Sequence, residues 1–293
     1  MSIQSLPFPF QTSLSRRSFG AELRALAAVA RKSLIIFLRY PSWFIALIIW
    51  PIIFPAGYLL TGRALAGPDG SSLAIFQQAT GIQDFIGYIA IGTTVWMWQN
   101  MVLWNVGNAL REEQLQGTLE SNWMTPTWRF SFVLGNSVAQ FVTMFIFLIV
   151  SLLEFTLLLG VRFQGNPFLV LLMFLASIPS VYGIGITFAS LVVYAKEANS
   201  FVFLVRGLVM IFCGITFPVS VLPGWMQAVA AWLPPTYVIR GLRGAMLQGL
   251  NFQELRPDFF ALLAFGLIWL VVGFVCFNWT ERRARQTGAL GQF

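Results

Sequence analysis

The chain has 293 residues, of which 57% are hydrophobic and 16% aromatic but only 10% charged. Soluble domains carry about 25% charged residues, so this composition, with a mean hydropathy of +0.75, points to lipid as the main solvent. Eighteen basic against eleven acidic residues give a net charge of +7, and there is no histidine. Its absence excludes Ser-His-Asp and Cys-His catalytic sets and any histidine-ligated metal. No Gly-Lys dipeptide occurs, so no P-loop can form and the chain does not bind ATP in that way.

The first forty residues lack the apolar core of a cleavable signal. Arg16 and Arg17 resemble a twin-arginine export signal, but Glu22, Arg24, Arg31 and Lys32 interrupt the segment after them. On a helical wheel Phe19, Leu23, Leu26, Ala27, Ala30, Leu34 and Phe37 share one arc, with Arg17, Arg24, Arg31, Lys32 and Arg39 opposite. That pattern predicts an amphipathic helix lying in the membrane interface, read either as an anchor or as a docking surface for a cytosolic partner.

A helix needs about 20 mostly apolar residues to cross a bilayer, because no water is there to satisfy its backbone. Six stretches qualify: residues 43–60, 85–108, 132–161, 168–193, 201–217 and 259–277. The expected fold is therefore an all-α membrane protein: a cytoplasmic N-terminus over 1–40, a six-span domain over 41–280 and a cytoplasmic tail over 281–293. Arginine and lysine favour cytoplasmic loops, and twelve against five place both termini inside. Cys213 and Cys276 lie in apolar runs and read as small hydrophobes.

The second span is polar toward its cytoplasmic end, with Gln99, Asn100, Asn105 and Asn108, which either line a cavity or join helices by hydrogen bonds. After it come Arg111, Glu112, Glu113, Gly117, Thr118, Leu119, Glu120, Trp123, Thr125 and Pro126. Leu115, Leu119 and Trp123 recur at helical spacing and Pro126 stops the run. The pattern is either a solvated loop or a short amphipathic helix fit for a groove on another protein.

An ionisable group in a span costs about 3 kcal/mol, so Glu154 in the third span and Arg206 in the fifth must face the bundle or an interface. Arg206 is explained by snorkelling. Glu154 makes a structural hydrogen bond between helices or contacts substrate or protons. Between the fifth and sixth spans, residues 222–235 are apolar but too short to cross, which predicts short re-entrant or interfacial helices. Trp225 and Trp232 are seven apart, and Tyr237, Arg240 and Arg243 come after them. The segment caps an exit route or forms a passive aromatic belt.

Two of these segments resemble one family. The run Glu113…Gly117-Thr118-Leu119-Glu120…Thr125-Pro126 is similar to the E…GTLE…TP motif of the type-2 permeases of ATP-binding-cassette (ABC) exporters. Phe217-Pro218…Leu222-Pro223-Gly224-Trp225…Leu233-Pro234-Pro235-Thr236-Tyr237…Leu242-Arg243 resembles that family's segment after its fifth helix. Asn122-Trp123 departs from it, standing where members commonly carry leucines. The resemblance implies a half-transporter of the bacterial inner membrane that pairs with a second permease, expected to be an identical copy, and with two cytosolic ATPase subunits. It also implies that the loop from Arg111 to Pro126 is the coupling helix, and that ATP and magnesium sit on the partner ATPase with no cofactor on this chain.

The function expected on these grounds is a permease exporting an amphipathic or hydrophobic compound, drug-like or lipid. Gln99, Asn100, Asn105 and Glu154 are the candidate cavity residues and Trp225, Trp232, Tyr237 and Arg240 the external gate. The alternative cargo is a polysaccharide or lipid-linked glycan. An ion-driven carrier or a membrane-embedded enzyme is a lesser rival, since no acid–base cluster gathers at one interface. Membrane lipid is an expected contact, and nucleic acid is not.

Overall fold

The computed structural model describes residues 19–66, 71–118, 121–122, 124–125, 127–195 and 198–287. Among these residues the chain is helical without strands. The helices are α1 (Phe19–Arg39), α2 (Pro41–Ala66), α3 (Ser71–Thr80), α4 (Phe85–Leu115) and α5 (Phe130–Leu157). Next come α6 (Pro167–Ala195), α7 (Ala198–Phe212), α8 (Gly224–Ala230), α9 (Pro234–Met246) and α10 (Phe252–Thr287).

Among the described residues four helices are long and apolar enough to cross a membrane: Pro41–Gly62, Phe130–Leu157, Pro167–Val192 and Phe252–Arg283. They correspond to the first, third, fourth and sixth expected spans. The second expected span is helical throughout and belongs to the longer α4, whose 31 residues reach about 46 Å, past the roughly 30 Å of a hydrocarbon core. Its amides and terminal charges make it too polar to count by composition. The fifth differs in structure: α7 stops at Phe212, five residues before the expected end. Gly214 then takes φ +72°, a left-handed backbone that ends the helix.

The polar helix α4 is the axis of the core. Asp84 caps it, accepting from Gly87 N at 2.8 Å. Tyr88, Ile89, Trp96, Trp98, Val102 and Leu103 are all buried along it. Trp96 stacks on Phe54 of α2 at 4.6 Å and 6°, and Trp98 tilts against Phe174 of α6 at 5.1 Å. Aromatic pairs of this kind add about 0.5–1.5 kcal/mol beyond area burial. Around α4 stand α2, α5, α6, α7 and α9, and α10 packs along α6. That last contact is close because Gly183 and Gly266 carry no side chain; a Cβ there would come within 2.8 Å of Trp269 and of Pro179 respectively.

Helix α1 lies along α5. Its protein-facing side is Glu22, Ala25, Leu26, Val29, Ala30 and Ser33, whereas Phe19 and Leu23 from the expected apolar arc are exposed. The apolar arc is thus wide enough to serve two surfaces, one packed on protein and one left open. Arg17 of the opposite arc lies outside the described residues.

Candidate functional site

The last turn of α4 and the loop after it are built around one carboxylate. Gly117 sits at φ +69° just past the helix end. Gly117 N donates to Gln114 O and Thr118 N to Glu113 O, both at 3.0 Å, the reciprocal pair by which a left-handed glycine closes a helix. This turn swings Thr118 back over Glu113. The Glu113 carboxylate then receives bonds from Lys32 Nζ, Thr118 Oγ1 and Asn122 Nδ2. Burial opposes its charge, but the bonds from Lys32, Thr118 and Asn122 outweigh burial and hold its pKa below the ordinary carboxylate value. Its neighbour Glu112 shifts the other way, raised first by burial and then by the charge of Glu113.

Arg111 leans back along α4 to Gln114 at 2.6 Å. Past Thr118, residues 121 and 122 are helical, and Thr125 bonds Asn122 O at 2.6 Å through its hydroxyl. Leu119, Glu120, Trp123 and Pro126 lie outside the described residues. Asn122, the departure from the family pattern, is a ligand of Glu113, a role a leucine cannot fill.

The loop's far end is tied to the same helix as its near end. Both oxygens of Glu22 on α1 accept from Trp128 N at 2.9 Å, and Oε2 accepts from Ser131 Oγ at 3.0 Å. A carboxylate there satisfies otherwise unpaired donors at the start of α5 and suits the positive end of its dipole. Ser33 on α1 donates to Asn136 of α5 at 2.7 Å, and Arg129 pairs with Glu281 of α10. Lys32 was legible only as part of a charged arc and Glu22 only as a charge interrupting the segment, because their partners are distant in sequence.

The candidate cavity residues stand on α4 and α5. Gln99 is 2% exposed, and neither of its amide atoms has a partner among the described residues. One buried oxygen each of Asn100 and Glu154 is likewise without a partner among those residues. These three are not among the lining residues of three cavities of about 440, 380 and 350 Å³, whereas Asn105 lines the second of them, a slot beside Lys32 and Glu113.

At the other end of the bundle, α8 and α9 form where two short helices are expected. Trp225 is 66% exposed on α8 and Trp232 is 76% exposed in the turn after it. Tyr237 Oη donates to Ala231 O at 2.9 Å, closing that turn. Arg240 grips Asp258 of α10 by two nitrogens, which raises the arginine pKa further.

Arg243 enters the sequence reading only as the end of the motif after the fifth span, with no role of its own. It is 6% exposed and donates to Tyr88 O at 2.9 and 3.1 Å, to Gly214 O at 2.6 Å and to Ile215 O at 2.6 Å. Its guanidinium also lies 3.3 Å above the Tyr88 ring. The carbonyls released where α7 breaks are thereby satisfied, and Gly92 leaves the room: a Cβ there would collide with Arg243 Nη2 and Ile215 O. A glycine within an apolar run and an arginine thirty residues on are the only traces of this clamp in the sequence.

A bundle of long apolar helices of membrane-spanning length defines a multi-pass membrane protein. A family model described as ABC-2 family transporter protein matches residues 64–275, and the chain belongs to that family. It is a membrane permease of the ABC transporter class, whose members generally partner with an ABC ATPase. No curated protein matches the chain.

Proposed function

We propose that the chain is the export permease of an ABC transporter, with six spans, both termini cytoplasmic, working as a pair of identical copies in a bacterial inner membrane. Two separate ATPase subunits carry ATP and magnesium and press on the loop from Arg111 to Pro126, the coupling helix of the transporter. Helices α4 and α7 supply the second and fifth crossings, and α8 and α9 are short re-entrant elements near the exit.

The observation that carries this reading is the double attachment of that loop to α1, by Lys32 to Glu113 and by Glu22 to Trp128. A solvated loop needs no such anchorage. A loop that takes force needs fixed ends and an element with two positions that both sites bias. A hydrophobic cargo is favoured by a cavity of about 350 Å³ among Trp98, Phe145, Phe155, Phe163 and Phe174, too small and too apolar for a glycan.

The test is ATP-driven transport by the complex in inverted vesicles. Glu113→Lys puts like charges together at Lys32, and Gly117→Pro cannot adopt φ +69°. Both variants are expected to insert normally and hydrolyse ATP without transport. Unchanged transport in either, or transport by the permease with no ATPase present, overturns the reading.

A further inference from the structure

Beside the anchored loop, α1, α2, α4 and α5 enclose a slot of about 380 Å³ that the coupling role does not use. Its polarity changes along its length. Helix α4 supplies Met101, Asn105, Ala109, Glu112, Glu113 and Gln116, successive turns of one face, so the slot runs along the bundle axis. At one end are Lys32, Glu112 and Glu113; toward the other are Met101 and, from α5, Ala139 and Thr143. Trp43 and Trp50, seven apart on α2, also line it, and each is half exposed although its helix is packed.

The charges do not balance. Two carboxylates face one ammonium, and that ammonium, Lys32, is committed to Glu113. The Glu112 carboxylate makes no hydrogen bond or ion pair among the described residues. Glu112 is exposed at the mouth of the slot, and a carboxylate beside another carboxylate is stabilised by a cation, while tryptophan faces attract organic cations and offer apolar contact along their length. The amides of Asn105, Asn136 and Gln140 line the slot as well, but its charged end holds two carboxylates against one ammonium, which disfavours an anion.

We propose that this slot binds an organic ammonium carrying an apolar tail, its cationic head at Glu112 and its tail toward Trp50 and Met101. The slot is the cargo's station on the inner side, which deepens the proposed function and rests on it for the link to transport. Glu113 is at once a wall of the slot and the anchor of the loop. A cation drawn to Glu112 weakens the hold of Glu113 on Lys32 by competition, so occupancy reaches the loop directly.

Binding is read on the purified permease alone, in a neutral maltoside detergent, with radiolabelled decyltrimethylammonium, and with decyl sulfate and decanol as competitors. Decyltrimethylammonium is expected to bind saturably and the competitors to leave it in place. Glu112→Gln is expected to weaken it about tenfold, as loss of a charge-assisted contact does. Ala139→Phe fills the slot without touching a charge and is expected to abolish binding, with a monodisperse elution profile showing that the variant folds. Displacement by decyl sulfate, or wild-type affinity in both variants, overturns the proposal.

Repeating the measurement in nanodiscs of two lipids without net charge, phosphatidylethanolamine and a diacylglycerol glucoside, separates the sources. Weaker binding in the first shows that a lipid ammonium occupies the slot, and equal binding shows that it takes the free amphiphile. Because no ATPase is present, failure of coupling leaves this result standing. Loss of ammonium binding with ATP-driven transport intact refutes the slot alone.

Discussion

Replacing Arg243 by methionine keeps a long apolar stem and removes every donor. The guanidinium supplies four hydrogen bonds to three carbonyls, and two of these, Gly214 O and Ile215 O, lie where α7 has already ended. Leaving two buried carbonyls unpaired costs about 1–3 kcal/mol each. Losing the contact with the Tyr88 ring adds about 0.5–2 kcal/mol. Relief of the arginine's own burial offsets several kcal/mol of this, so the net loss is about 2–4 kcal/mol, in the range seen when a buried polar network is broken. On the scaling of soluble domains that lowers a thermal midpoint by roughly 5–15 °C. The assay is thermal unfolding of the purified permease in detergent, with Arg243→Lys falling between wild type and Arg243→Met. Gly92→Ala provides the cross-check: it is expected to cost less in the Arg243→Met background, because one of the two atoms its Cβ would strike is gone. If Arg243→Met melts with wild type, or if the two substitutions simply add, the carbonyl clamp is not what holds the break.

Three more outcomes are expected. Glu22→Gln weakens the cap on α5 by about 1 kcal/mol and raises hydrogen exchange at Trp128 and Ser131, while exchange in the middle of α5 stays as it was. Glu113 has its pKa lowered on folding from an ordinary 4.5, so the stabilisation it gives is complete above that value and disappears as pH falls through the lower folded value. Protection of residues 113–118, corrected for intrinsic exchange, should therefore hold above the ordinary carboxylate value and decline only as pH falls below it, and Lys32→Met should move the decline upward. Gly165→Ala would drive a Cβ into the Ala245 carbonyl, against which the preceding residue pairs by Gln164 N to Met246 O at 3.0 Å, and should abolish monodisperse expression.

The long apolar helices were legible because a bilayer demands length and hydrophobicity together, and a run such as 132–161 can be little else. Helix α4 is recognisable as a segment, but its place on the core axis is not, since Gln99 and Asn108 lower its hydropathy while burial on all sides is a property of its neighbours. The end of α7 falls five residues short of the expected one. Apolar composition continues through Ile215 to Phe217, and what stops the helix is the backbone at Gly214, stabilised by an arginine on another helix. At the candidate site the motif around Glu113 stands out by its charge, and Gly117 fits the helix end it forms. Lys32, Glu22 and Arg243 do not stand out, because each acts on a partner at least twenty-eight positions away and no periodicity records such a pairing.

The two ties on α1 have a mechanical consequence. Ten residues of a stiff rod separate Glu22 from Lys32, about 15 Å, and that span fixes how far the tip of α4 stands from the foot of α5. While both ties hold, a push on the loop cannot splay those two helices; it can only swing them together as one lever. The freedom to open then falls to α2 and α7, whose outward faces at Ile48, Ile53, Leu204 and Leu208 are exposed.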